Sequence, residues 1–190
     1  MATQRSDESL EAFLAWVDRG SARAASAFSK LAGRPIGHES PKVALNDCDF
    51  PVSGAGEWST GVFFRLEGCL DAWIGILFHQ AASEAIVRRV VGIPEGELSP
   101  HVIESALMEI GNILASHVAS GISDEVGERL LPSIPTLAMN HAESEMAAFA
   151  ALQADVERIR IDSRIADQSG QLSGLLSLLL VPQASGLSRT

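Results

Sequence analysis

The sequence predicts an α/β (α+β) fold in which a mostly antiparallel sheet packs against long helices and is built as a pseudo-symmetric duplication. Three observations carry this prediction. A long helical segment opens each half of the chain, short β-rich runs follow it, and a stretch near residue 30 is repeated 94 residues later. Two halves with the same order of elements are expected to share one core, because neither half alone buries its apolar faces.

The first half predicts a helix, a loop, a hairpin and a second helix. An alanine-rich segment from about Glu8 to Ala32 has apolar residues at helical spacing, and Gly33-Arg34-Pro35 ends it. The Pro, Ser and Gly residues between Asp47 and Ser59 predict irregular backbone. The runs TGVFFRL and LDAWIGILF are split by Glu67-Gly68 and predict a hairpin, and QAASEAIVRRVVG predicts a helix ended by glycine.

The second half predicts the same order of elements. Ser99 is a natural N-cap, and Pro100 fits the first helical position, so a long helix is expected from there to about Ile122. The proline-rich passage LLPSIPTLAM follows, and Pro135 within it is expected to begin a strand. Two further runs, VERIRIDSRI and LSGLLSLLLV, predict strands.

An internal repeat underlies this order. At an offset of 94 residues the identities are Ser29 with Ser123, Gly33 with Gly127, Pro41 with Pro135, Ala44 with Ala138, and Asn46 with Asn140. A later pair, LFHQAAS and LLVPQAS, matches at a different offset. We therefore expect one domain spanning residues 1–190, with repeat halves at about 8–93 and 99–187.

Composition and charge exclude several functional classes. The chain has 190 residues, 46% of them hydrophobic, and a net charge of −10 with two lysines, Lys30 and Lys42. No basic stripe is present to displace counterions from nucleic acid or to bind anionic lipid. No apolar run approaches the ~20 residues of a membrane span, and the first residues lack the apolar core of a signal peptide. The five histidines form no HxxxH or HExxH pair, so no metal site is expected. We expect a cytoplasmic protein.

The central helix carries a polar stripe. Ser105, Glu109 and Asn112 fall on one face at i, i+4 and i+7, and an apolar stripe lies opposite, formed by Ile103, Leu107, Ile110 and Leu114. Glu109 and Asn112 are therefore expected to be exposed, without a metal or a deep pocket. Gly111 costs about 1 kcal/mol relative to alanine in a helix interior, which favours close approach of another group beside Asn112. The stripe alone also fits an ordinary solvated helix face.

These residues resemble the CheC/CheX/FliY family of chemotaxis phosphatases. The family signature is Asp or Ser, three residues, Glu, two residues, Asn, 22 residues and Pro, and Ser105, Glu109, Asn112 and Pro135 match it in full. The resemblance implies a CheC-like fold and a hydrolase that removes the aspartyl phosphate of a phosphorylated CheY-type response regulator in chemotaxis or related two-component signalling. It implies catalytic roles for Glu109 and Asn112, with Ser105 and Pro135 in support.

The resemblance also predicts a single working site. The repeat places Ala15 over Glu109 and Asp18 over Asn112, so the first half carries a degenerate copy. No cofactor is expected in this chain, because the regulator is expected to supply Mg²⁺ beside its phosphorylated aspartate. A different class stays open: a non-catalytic adaptor that binds a response regulator or a CheD-type deamidase and keeps the motif as a docking surface.

Overall fold

The computed structural model describes residues 2–45, 58–93, 95–151 and 159–180. The helices are α1 (Ala2–Ala32), α2 (Gln80–Val91), α3 (Pro100–Val126) and α4 (Ala142–Ala151). The strands are β1 (Ile36–His38), β2 (Lys42–Leu45), β3 (Thr60–Gly68), β4 (Ala72–Phe78), β5 (Leu130–Pro132), β6 (Thr136–Met139), β7 (Ile159–Asp167) and β8 (Ser173–Leu180).

The strands form one sheet, and every pairing is antiparallel. The order is β1-β7-β8-β4-β3-β5; β2 also pairs with β7, and β6 also pairs with β3. The short strands of each half therefore pair with the long hairpin of the other half, and β4 and β8 meet at the centre. The prediction of a mostly antiparallel sheet packed against long helices is confirmed.

The strand register follows the internal repeat. Ile36 pairs with Asp167 on one side of the sheet, and Leu130, its counterpart 94 residues later, pairs with Gly68 on the other. Lys42 pairs with Asp162 in the same way that Thr136 pairs with Phe63. The 94-residue offset thus relates β1 and β2 to β5 and β6 residue by residue. The division of a single domain into halves at about 8–93 and 99–187 stays a prediction.

Alternate residues of the strands point to opposite faces of the sheet and build two apolar clusters. The larger cluster buries Val62 and Phe64 of β3 against apolar residues of α1, α2 and α3. The smaller one lies on the other face, where Phe63 packs with Ala142 and Met146 of α4. The long helices therefore share one face of the sheet, and their outer surfaces are open to solvent.

Helices α1 and α3 pack against each other at a close crossing. A Cβ atom on Gly121 would lie 2.5 Å from the Cα of Gly20, so neither helix tolerates a side chain there. Arg19 and Glu125 form an ion pair across the two helices, with a distance of 2.9 Å from Nε to Oε1. This contact holds the two outer helix faces in a fixed relation.

The structure differs from the sequence prediction in five elements, the first of which is strand β1, where a loop is expected. Helix α1 begins at Ala2, and α3 runs to Val126, where Gly127 caps it in the left-handed conformation with φ 76°, instead of ending near Ile122. Strand β5 and helix α4 were not predicted, because a three-residue edge strand ending in proline and an alanine-rich decapeptide carry little periodic signal. The irregular backbone expected between Asp47 and Ser59 lies mostly outside the described residues.

Candidate active site

Helix α3 presents the polar stripe to solvent because its other side is anchored in the core. Leu107, Ile110 and Leu114 are fully buried against the sheet, whereas Ile103 at the edge of the stripe is half-buried. The Oγ of Ser99 accepts a hydrogen bond from the backbone N–H of Val102 and fixes the start of the helix. The buried apolar residues thereby fix which side of α3 faces the sheet and which side faces solvent.

The prediction that the two central polar residues are exposed is confirmed. Ser105, Glu109 and Asn112 are all exposed. In the part of the chain that the structure describes, the side chains of Glu109 and Asn112 make no hydrogen bond or ion pair. A carboxylate and an amide thus stand one turn apart on a rigid helix with their bonding capacity unused.

The expectation that another group approaches Gly111 closely is confirmed, but that group lies on the core side of the helix. Gly111 is buried, and a Cβ atom there would lie 2.7 Å from the Cβ of Val62 on β3. The group that approaches this glycine is therefore a side chain of the protein's own sheet. Gly111 lets α3 lie close to β3, and it belongs to the core side of the helix.

The four motif residues meet at one concavity. Its volume is about 550 Å³, and α3 forms one wall with Ser105, Met108, Glu109 and Asn112. The opposite wall is the segment from Pro132 to Pro135, which joins β5 to β6. The proline of the sequence pattern thus reaches the same depression as the glutamate and the asparagine, although it is distant from them in the chain.

Ser133 joins the opposite wall to strand β3 through hydrogen bonds. Its backbone N–H donates to the Arg65 carbonyl at 2.8 Å, and its Oγ accepts from the Arg65 N–H at 3.0 Å. The same hydroxyl donates to the carbonyl of Ile134 at 3.0 Å. Ser133 therefore orders the turn that faces Asn112. It has no place in the sequence pattern, so only the pairing with β3 reveals it.

The concavity is nearly free of charge. Glu109 is the single ionisable side chain among its eight lining residues. The described residues contain no group of three or more His, Cys, Asp or Glu side chains that could hold a metal ion. The described helices likewise include none long and apolar enough to cross a membrane. The site consists of one carboxylate, one amide, a serine hydroxyl on each wall and apolar surroundings.

The corresponding face of α1 lacks this arrangement. Ala15 is exposed and has no polar group, and Asp18 is partly exposed. The Oδ1 of Asp18 lies 3.2 Å from the Nε2 of His38, which occupies the place of Pro132 in the repeat. The carboxylate in the first half is therefore already engaged by a neighbour.

Comparison with known proteins shows a similarity to CheC-like proteins. Residues 102–138, which include all four motif positions, match the CheC-like family. The protein named CheY-P phosphatase CheC of Bacillus subtilis (strain 168) is 29% identical over 172 residues, covering 86% of this chain and 82% of the relative. The chain is thus similar to CheC-like proteins, most specifically over the segment that carries the four motif positions.

Solved structures share the fold. The chemotaxis protein CheX from Desulfovibrio desulfuricans superposes with a TM-score of 0.60 at 14% identity, covering 87% of this chain and 98% of that one. A chain from the FliM–SpeE complex of H. pylori gives a TM-score of 0.64 at 15% identity, covering 92% and 88%. At these identities the likeness concerns the fold alone, and it confirms the CheC-like fold.

Proposed function

We propose that this CheC-like protein is a phosphatase that hydrolyses the aspartyl phosphate of a CheY-type response regulator, in chemotaxis or related two-component signalling. The observation that carries the proposal is the meeting of Ser105, Glu109, Asn112 and Pro135 at one open concavity, with the carboxylate and the amide unengaged. The similarity to a relative named as a CheY-P phosphatase supports it.

Asn112 suits the hydrolysis of an acyl phosphate. The reaction needs a water molecule held in line with the P–O bond, and most of the catalysis is positioning. A neutral amide accepts a hydrogen bond from water through its oxygen and donates one to a phosphoryl oxygen through its nitrogen. A carboxylate in this place only accepts, and its charge repels the phosphoryl group. In this proposal Asn112 places the attacking water.

Glu109 is proposed as the residue that positions the regulator. It is exposed on the same face as Asn112, and its carboxylate has no partner among the described residues. A lysine of the regulator that pairs with it would fix where Asn112 lies relative to the phosphoryl group. Ser105 lies one turn before Glu109 and lines the same wall, and Pro135 shapes the opposite wall.

The Mg²⁺ of the reaction is proposed to arrive with the regulator. A lone carboxylate among the lining residues is a poor ligand set for Mg²⁺, which prefers several oxygen ligands. The metal neutralises charge on the phosphoryl group, while this chain contributes the amide and the docking carboxylate. Because the proposed substrate is an internal signalling protein, we also propose that the protein acts in the cytoplasm.

The decay of a radiolabelled aspartyl phosphate tests this function. A CheY-type regulator is phosphorylated, excess donor is removed, and decay with Mg²⁺ is followed with and without the protein at one-tenth of the regulator concentration. We expect the decay to accelerate and every regulator molecule to lose its label, because a catalyst turns over. Unchanged decay at saturating protein would refute the phosphatase.

A second function is a non-catalytic adaptor for a response regulator or a CheD-type deamidase. The shared fold with a chain from the FliM–SpeE complex favours it, because that structure shows a protein assembly. Docking needs only the exposed Glu109, whereas hydrolysis also needs Asn112. Binding of the phosphorylated regulator without faster decay would identify the adaptor.

A further inference from the structure

The most exposed large apolar side chain in the described residues lies at the site. Ile134 is 88% exposed, whereas Leu131, Val91 and Ile93 range from 39% to 46%. Ile134 lines the same concavity as Glu109 and Asn112. An isoleucine held in water on a folded protein forgoes the free energy of burial, which favours a role in binding.

Ile134 is presented by an ordered turn. The preceding residue, Ser133, is bonded to Arg65 through both its N–H and its hydroxyl, and that hydroxyl also donates to the Ile134 carbonyl. The next residue, Pro135, has a ring that fixes its φ angle. A β-branched side chain has few rotamers. Little conformational entropy remains to be lost on binding, which is the property of an interface anchor.

The position of Ile134 determines what covers it. Asn112 and Ile134 line opposite walls of one concavity of about 550 Å³, so a protein that places a phosphoryl group against Asn112 enters the concavity that Ile134 also lines. We propose that Ile134 is the apolar anchor that inserts into a recess of the phosphorylated regulator beside its phosphoaspartate. This inference rests on the proposed function and names the residue that selects the regulator.

The repeat supplies an internal comparison. At the 94-residue offset, Ser40 stands in the place of Ile134 and Gly37 in the place of Leu131. The half that lacks the glutamate and the asparagine thus also lacks the exposed apolar side chains beside them. The apolar anchor occurs together with the complete motif, as expected for two parts of one binding surface.

The test replaces Ile134 by the residue of the other half. Affinity for a Mg²⁺- and beryllofluoride-loaded CheY-type regulator is measured for wild type, Ile134→Ser and the control Ile93→Ser, an exposed isoleucine outside the concavity. We expect Ile134→Ser to weaken binding by about 10- to 100-fold and the control to bind as wild type. Thermal unfolding should be unchanged by Ile134→Ser, because that side chain contacts mainly solvent, and it is measured for Ile93→Ser to show that the control is folded.

Hydrolysis by the same variants separates this inference from the proposed function. We expect Ile134→Ser to raise KM while kcat at saturating regulator stays within about threefold of wild type, because the anchor is used equally in ground and transition states. Wild-type affinity of Ile134→Ser would refute the anchor and leave the phosphatase standing. Weakened binding by Ile134→Ser with no hydrolysis by wild type would support the anchor and refute the phosphatase. A wild-type protein that does not bind the regulator would refute both.

Discussion

The outer faces of α1 and α3 occupy equivalent places in the repeat but carry different chemistry. On α3 the three stripe positions hold Ser105, Glu109 and Asn112, and the turn beyond the helix holds Pro132, Ser133, Ile134 and Pro135. On α1 the same positions hold Glu11, Ala15 and Asp18, and the turn holds His38, Glu39, Ser40 and Pro41. The α3 positions include a single ionisable side chain, that of Glu109, whereas the α1 positions include four, those of Glu11, Asp18, His38 and Glu39.

The two halves correspond in backbone geometry, whereas their exposed side chains differ. Both helices end at a left-handed glycine, with φ 62° at Gly33 and φ 76° at Gly127, and the short strands after them have the same ladder register. Asp18 is bonded to His38, whereas Asn112 is unengaged. The fold thus supplies two equivalent helix faces, and under the proposed function a few exposed side chains decide which face is active.

The largest expected effect follows from removing the amide of the α3 face. Asn112→Ala should slow dephosphorylation by about 10²–10³-fold, or roughly 3–4 kcal/mol, because a positioned donor to the transition state is lost. Binding of the phosphorylated regulator should weaken far less, since the amide is used mainly in the transition state. Steady-state dephosphorylation and a binding titration measure the two effects. Wild-type turnover by this variant would leave the adaptor as the function.

A stability effect should come next, from the residue that brings α3 close to the sheet. Gly111→Ala places a Cβ atom 2.7 Å from Val62, whose strand is paired on both sides, and should lower the free energy of unfolding by about 1–3 kcal/mol despite the better helix propensity. Urea unfolding measures it, and exposed Ser120→Ala on the same helix is the control. The repeat places buried Val17 at this position of α1, so the tight contact is specific to α3. An unchanged or higher stability would show that β3 can yield.

A smaller effect is expected from replacing Glu109, the residue proposed to dock the regulator. Glu109→Ala should lower kcat/KM roughly tenfold, mainly through KM, because the contact with a regulator lysine is lost and the amide is less well placed. Glu109→Gln keeps the shape of the side chain and should lose most of the same affinity if charge is what matters. Kinetics at low and high salt check this, since the wild-type advantage should shrink as salt screens the pair. An Ala variant with unchanged KM would rule out the docking role.

Changes on the α1 face should be nearly silent. Ala15→Ser and Asp18→Ala should leave the dephosphorylation rate within about twofold of wild type. Asp18→Ala should cost less than about 1 kcal/mol of stability, because the contact between Asp18 and His38 is partly exposed. The assays used for α3 variants measure both. A large loss of activity in either variant would show that the first face takes part in the reaction.

The sequence predicted what depends on local periodicity. The spacing of residues along single segments predicts three features: the apolar side of α3, the exposure of Glu109 and Asn112, and the hairpin of β3 and β4. Features that depend on contacts between distant segments were missed or misread. The sequence does not identify Val62 as the group that approaches Gly111, because this contact requires the position of β3. It does not single out Ser133, because the role of Ser133 comes from pairing with Arg65.

Replacing the amide of Asn112 by a carboxylate of nearly the same shape tests the central claim most directly. Asn112→Asp gives the α3 face the carboxylate that the α1 face already has at Asp18, with almost no change of shape. Decay of radiolabelled phospho-regulator should be measured with wild type and this variant at equal, saturating concentrations. We predict that the variant leaves the decay at the rate of the regulator alone, because a carboxylate cannot donate to the phosphoryl group and repels it. Wild-type turnover by Asn112→Asp would contradict the proposal that the neutral amide distinguishes the two faces.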